Sequence, residues 1–327
     1  MIPPKLKAGD AVRVITPSSS LSMPWLNKEL QEIANQRFKE MGLRISFGKH
    51  VHEINEFESS SIESRVQDLH DAFKDPDIKL VITVTGGFNS CEILPYLNYK
   101  LIKANPKILC GYSDITALQN AIYAKTGLVT YSSPHYFTFG DKKGIDYTRE
   151  YFKKCLFENL PFKVNPSEKW SNDRWGNDQE HRNFVKNSGY FVINEGEAGG
   201  RILGSNLVTF HALSGTEYMP KFKKTLLFIE DDHEENVYTF NRALTSLTQR
   251  TDFKEVRGIV IGRFQPESKI GYQELMSIVN NNERLKSIPI IGGADFGHTT
   301  PQITFPIGGK ARFSAYNKKV ELEITEH

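Results

Sequence analysis

Cysteine is scarce: Cys91, Cys110 and Cys155 are the only three in 327 residues, an odd number with no C-x-x-C pair. A disulfide framework or cysteine-held zinc site is therefore not expected, and a reducing compartment is. Charge of one sign is also lacking. Lysine plus arginine number 41 against 39 aspartate plus glutamate, and a net charge of +2 makes no field able to gather nucleic acid or an anionic membrane. No run approaches the ~18 apolar residues of a membrane span, and the opening "MIPPKLKAGDAVRVITPSSS" has no long apolar stretch after its basic residues. These absences leave the expectation of a soluble cytoplasmic protein without metal or cofactor, whose partner is a small molecule or another protein.

At ~100 to 200 residues per domain, the length predicts two domains. Short β-rich runs recur at "AVRVITP" (11–17), "LRISFG" (43–48), "KLVITVT" (79–85), "KILC" (107–110) and "LVTY" (128–131), alternating with segments whose apolar residues fall three or four apart. Strand and helix in alternation predict an α/β fold, a parallel sheet with flanking helices of Rossmann/flavodoxin-like type. From 141 to 186 the pattern dissolves into polar sequence. Strand-like runs resume at "TLLFIED", "VRGIVIGRF" and "IPIIGGADF", and "ITFPIGGKARFSA" and "KKVELEIT" alternate as antiparallel strands do. The expected division is an N-terminal domain over 1–145, a linker and covering loop over 146–186, and a smaller C-terminal α/β domain over 187–327.

Ligands of such sheets sit beyond the carboxyl ends of the strands, where this chain places "TPSSS", "TGGFNS" and "GYSD". In the last, Ser113 stands between an apolar strand and a helix. A serine hydroxyl attacks only when a base takes its proton and the resulting oxyanion is stabilised. A strand-to-helix turn exposes the hydroxyl and aims the next amide, that of Asp114, at the carbonyl under attack. An ordinary N-cap explains the same serine, and "GYSD" lacks the second glycine of G-x-S-x-G. Gly86 and Gly87 allow a second backbone amide to approach a ligand oxygen, or they simply reverse the chain.

Two histidines fall at strand ends, His135 in "YSSPHYF" and His298 in "DFGHTTP"; the glycine and polar residues around His298 suit a functional loop better. Glu230, closing the apolar run of "LLFIEDDHE", suits the acid that orients a base, and an acidic turn is the alternative.

Together, "GGFNSCEILPYLNY", "CGYSDITALQNAIYAKTGLVTYSSPH", "GSNLVTFHALSGTEYMP", "FIEDD" and "ADFGHTTPQITFPIGG" resemble the LD-carboxypeptidase family of serine peptidases, most of all its microcin C immunity (MccF-like) branch. The segments keep the family's order from about residue 8 to residue 310. The resemblance implies Ser113 as nucleophile, Glu230 as acid, His298 as base, and an oxyanion hole from the amides of Gly87 and Asp114. Glu92 stands where muropeptide-recycling members carry arginine; Cys91, Asn98 and Ser133 depart from the immunity branch. The resemblance also makes "KWSNDRW" a loop that covers a nucleotide, with Trp170 and Trp175 as stacking surfaces, although both indoles could instead pin the linker to the body. Asn206 in "GSNL" would lie near a substrate carboxylate, or cap a helix. The implied activity is cleavage of the amide between an acidic aminoacyl or peptidyl group and an adenylate-like nucleotide, by a homodimer. The alternatives are LD-carboxypeptidase action on a muropeptide tetrapeptide and, in another class, a non-catalytic sensor of a small ligand.

Overall fold

Valine and isoleucine concentrate where the chain must be extended and covered on both faces. Ala11–Ile15 and Ile78–Thr83 are buried almost throughout and run parallel at the middle of a six-stranded sheet. Its order is Phe305–Ile307, Thr130–Ser132, Ile108–Gly111, Ile78–Thr83, Ala11–Ile15 and Arg44–Phe47. Every neighbouring pair is parallel except Phe305–Ile307 against Thr130–Ser132. The computed structural model describes residues 1–173 and 175–327.

The second sheet has eight strands. Gly196–Asn206, Thr225–Glu230, Val256–Gly262 and Ile290–Ala294 form its parallel centre. Antiparallel strands flank it: Lys310–Tyr316, Lys319–Glu326 and Phe162–Lys163 on one side, Phe191–Asn194 on the other. This is the expected α/β architecture with terminal antiparallel strands. The second sheet is nevertheless the wider of the two, because segments on both sides of residue 187 join its edges.

Three elements differ from the sequence expectation. Asp146–Phe157, placed in the linker, is a helix that buries Tyr151, Phe152, Cys155 and Leu156; these are two adjacent pairs one turn apart, a periodicity hidden by the charges between them. Gly196–Asn206 is an 11-residue strand in a stretch whose glycines argue against one. A side chain at Gly200 would stand 2.2 Å from the Lys224 carbonyl, so glycine is what lets the neighbouring strand come close. Phe305–Ile307, expected among the C-terminal strands, crosses over to complete the first sheet.

The helix Ile115–Thr126 lies between the two halves and is buried nearly all round, which accounts for its weak polar face. Its polar side chains tie it to both sheets: Gln119 Nε2 donates to the Gly111 and Tyr131 carbonyls of the first. Asn120 Nδ2 donates to the Gly204 carbonyl at 2.9 Å, and Thr116 Oγ1 accepts from the Asn206 amide at 3.1 Å. Ser132 and Ser205 hydroxyls meet at 2.8 Å beside them. These bonds fix the turn before the helix, and hence Ser113, against the sheet that carries Glu230.

Candidate active site

The strand Ile108–Gly111 ends two residues before Ser113, whose φ of +58° lies in the left-handed region that costs a non-glycine residue ~1 to 2 kcal/mol. The hydroxyl is not used as a helix cap: the N-cap of Ile115–Thr126 is Asp114, with no side-chain cap bond. Room for the turn comes from Gly86, where a Cβ would sit 2.9 Å from the Ser113 Cβ.

Ser113 Oγ lies 3.0 Å from His298 Nε2, and His298 Nδ1 lies 2.8 Å from Glu230 Oε2. Glu230 ends Thr225–Glu230 and is fully buried. Gly297 makes its place: with φ +105°, a Cβ there would stand 2.5 Å from Glu230 Oε2. Burial lowers the His298 pKa, but the facing carboxylate of Glu230, with Asp232 and Glu234 beyond, outweighs it and leaves the imidazole above its ordinary value. His135, the other candidate, is buried and bonded through Nδ1 to Thr83 Oγ1 at 2.7 Å. Burial, with His298 nearby, pushes its pKa down to about 3, so it remains neutral and supports rather than exchanges protons.

Among the described residues, neither the Gly87 nor the Asp114 amide donates a hydrogen bond within the chain. The Asp114 side chain anchors their surroundings, accepting from Ser18 Oγ at 2.7 Å and the Ser90 amide at 2.8 Å, while Ser90 Oγ donates to the Asp114 carbonyl at 2.6 Å. Glu92 pairs with Arg65 at 2.5 Å, and Arg65 also holds the Asn89 carbonyl at 2.8 Å. The arginine bracing the Gly-Gly loop thus comes from the helix Ile62–Lys74.

Two hollows meet at Ser113. One is a cleft of about 580 Å³ that includes His298, Tyr112, Trp25, Phe137 and Trp175. Trp175 stacks on Phe137 at 4.4 Å and 17°, and Trp25 meets Phe137 edge-on at 4.7 Å. The other is a recess of about 180 Å³ that includes Gly87, Asp114, Asn206, Asp231, Asp232, Glu234 and Glu235. Asn206 is both cap and lining: Oδ1 accepts from the Thr209 amide at 3.0 Å, while the residue borders the recess.

The two linker tryptophans part company. Trp170 does not line the cleft. Its ring lies 4.9 Å from the Arg263 guanidinium, which is bonded to Asp295 at 2.7 Å. Asp295, fully buried, also accepts from the Ser167 amide at 2.8 Å and its hydroxyl at 2.9 Å, so Trp170 belongs to the fastening of the loop. Pairing of Ser171 with Thr300, at 2.7 and 3.0 Å, ties the same loop to the segment after His298. Trp25 and Phe137 were missed by sequence reasoning. Trp25 reads as the first apolar residue of a helix, yet that helix starts at Lys28 behind the Asn27 cap and leaves Trp25 in the turn. Among the described residues, no group of three or more His, Cys, Asp or Glu is placed to hold a metal, and no helix is long and apolar enough to cross a membrane.

This architecture is that of a known family: residues 12–133 match the LD-carboxypeptidase N-terminal domain and residues 199–313 its C-terminal domain, and the chain belongs to that family of peptidases. Among its relatives is YocD of Bacillus subtilis (strain 168), which carries a provisional carboxypeptidase name, 49% identical over 99% of each chain. The microcin C7 self-immunity protein MccF of Escherichia coli is 30% identical over 97% of this chain and 94% of its own. Of solved structures, an MccF-like protein from Bacillus anthracis superposes with a TM-score of 0.98 at 50% identity, covering 100% of both chains. MccF in complex with glutamyl sulfamoyl guanosine does so at 0.89 and 31%, covering 99% of this chain and 98% of that one.

Proposed function

We propose that the protein is a serine hydrolase that cleaves the amide joining an aminoacyl or peptidyl group to an adenylate-like nucleotide, as in detoxification of microcin C type compounds. The observation that carries the reading is the continuous chain from Ser113 through His298 to buried Glu230, at 3.0 and 2.8 Å, beside two unengaged amides. His298 takes the Ser113 proton as Oγ bonds to the acyl carbon. The Gly87 and Asp114 amides hold the oxyanion. The C–N bond then breaks, and His298 returns the proton to the leaving nitrogen. Water, deprotonated by the same imidazole, releases the acid and restores the serine, while Glu230 keeps the ring oriented and offsets its transient charge.

The leaving group departs on the side of the base, and His298 borders the aromatic cleft but not the acidic recess. A nucleobase against Trp175, Trp25 and Phe137 suits that side, since stacking on an aromatic face is worth ~1 to 3 kcal/mol per base. That surface favours a nucleotide over the small D-alanine released from a muropeptide, the second reading. The solved MccF complexes hold glutamyl and aspartyl sulfamoyl nucleosides, ligands that join an aminoacyl group to a nucleoside as this reading requires. Cytoplasmic location and a homodimer complete the reading.

The test is mass spectrometry of purified protein with glutamyl sulfamoyl adenosine and a muropeptide tetrapeptide in parallel, with Ser113→Ala as control. Cleavage of the nucleoside compound, lost by about 10,000-fold or more in the variant, is the expected result. Cleavage of the tetrapeptide alone would transfer the protein to cell-wall recycling, and function undiminished in Ser113→Ala would make it a sensor.

A further inference from the structure

The recess beyond Ser113 is unusual in its charge. Asp231, Asp232, Glu234 and Glu235 border it together with the buried Asp114, and among the described residues it is bordered by no lysine or arginine. None of the four from 231 to 235 has a lysine or arginine ion-pair partner among the described residues; the one contact of this kind is Asp232 Oδ2 with His298 Nε2 at 3.9 Å. Asp114 differs, since its carboxylate is already spent on Ser18 and Ser90.

Asp231 is the telling member. It is fully buried, neither carboxylate oxygen has a hydrogen-bond partner of good geometry, and the Val208 backbone amide only partly offsets the burial of its charge. Buried carboxylates are retained where they are paired or where something that comes and goes pairs them. The neighbours of Asp231 make matters worse, because Glu230, Asp232 and Glu235 add like charge to the burial that already drives its pKa well upward.

We infer that the recess formed by Asp231, Asp232, Glu234 and Glu235 binds a positively charged ammonium group on the acyl side of the substrate, so that this chain selects cationic rather than acidic aminoacyl groups. The inference rests on the hydrolase reading above for which side of Ser113 holds the acyl group. An ammonium there would give Asp231 the partner it lacks, and the exposed Glu234 and half-buried Glu235 would draw it in from solvent. A glutamyl or aspartyl side chain would instead face four carboxylates, and like charges brought together cost affinity. Asn206 is the neutral donor of the recess and can serve the acyl group without regard to charge. The ammonium has two possible sources, the α-amino group of any aminoacyl compound and the side chain of a basic one.

Sulfamoyl adenosines carrying lysyl, glutaminyl and glutamyl groups separate these cases, together with lysyl compounds acetylated at the α- or the ε-nitrogen. Binding is measured by calorimetry on Ser113→Ala and turnover on the unaltered protein. The expected order is lysyl, then glutaminyl, then glutamyl, with at least about tenfold between first and last in Kd, or about 1.4 kcal/mol. Loss on ε-acetylation assigns the recess to a side chain, and loss on α-acetylation to the α-ammonium. Equal or tighter binding of the glutamyl compound overturns the inference. Tighter lysyl binding without any turnover would leave the recess standing and remove the hydrolase reading. In Glu234→Gln combined with Glu235→Gln, the lysyl-to-glutamyl ratio should fall to about threefold or less; an unchanged ratio would also overturn the inference, because the charges named would not be those that discriminate.

Discussion

The aromatic cleft and the acidic recess meet along Gly87, Phe88, Ser113 and Glu234 and part from there. The cleft is built by distant parts of the chain, with Trp25, Phe137 and Trp175 arriving on three separate segments. The recess carboxylates from Asp231 to Glu235 lie within five consecutive positions directly after the strand that delivers Glu230. On the proposed reading, one side recognises by shape and apolar area, and can be rebuilt by moving loops. The other recognises by charge and is tied to the catalytic acid, so altering its residues also alters the field on His298.

That coupling gives the largest expected effect. Glu230→Gln should reduce kcat by about 1,000- to 10,000-fold for every substrate, whichever hollow its groups occupy. Because the His298 pKa is raised, the acid limb of kcat/KM should lie above the ordinary histidine value, with activity falling as pH drops through it; in Glu230→Gln the limb should move down. The same shift has a stability sign. The charged imidazole is favoured in the fold, so its contribution is present below the unfolded value of about 6.5 and is lost as pH rises through the folded one. An acid limb unmoved by the substitution would show that Glu230 does not set the charge of His298.

Next in size is the contrast between the tryptophans. Trp175→Ala should raise KM for a nucleotide substrate by about 10- to 100-fold, the equivalent of one lost stacking contact, and leave kcat within about threefold. Trp170→Ala should leave KM nearly unchanged and lower the unfolding midpoint instead, since its ring meets Arg263 in the loop's anchorage. Equal effects on KM would mean that the loop acts as one body and that the division between cleft and anchorage is wrong.

The smallest is a gain. Asp231→Asn should stabilise the fold at neutral pH by about 1 to 3 kcal/mol, the usual cost of a buried polar group without partners. The folded pKa of Asp231 is raised, so stability is lost as pH climbs from about 3.8 through the folded value, and the advantage of asparagine should vanish in acid. Urea unfolding at several pH values measures this. A destabilised variant would show that Asp231 has a structural partner and belongs to the core.

Much of this site can be read in the sequence because its reacting groups sit in local motifs. Ser113, Glu230 and His298 each close or follow an apolar strand, and a strand end is visible as a change in residue type. Trp25 and Phe137 have no such marker: their role depends on three segments meeting, which no short window contains. The run after Glu230 was visible but ambiguous, since four carboxylates in five positions look like any solvated turn until Asp231 is found fully buried. For the fold, the parallel strands of both halves fall where the β-rich runs are. Gly196–Asn206 escaped because its glycines serve the neighbouring strand, and Asp146–Phe157 because its buried residues are interspersed with charge.

The strand Phe305–Ile307 closes the sheet that bears Ser113, although it lies far along the chain from the rest of that sheet. During synthesis, the segment through Thr130–Ser132 emerges with an open edge, and that edge stays unsealed until residues 305–307 follow. His298 appears only just before them. The seal of the sheet that bears Ser113 and the proposed base thus arrive almost together, so a chain interrupted before His298 carries a serine with neither an enclosed scaffold nor a proton acceptor.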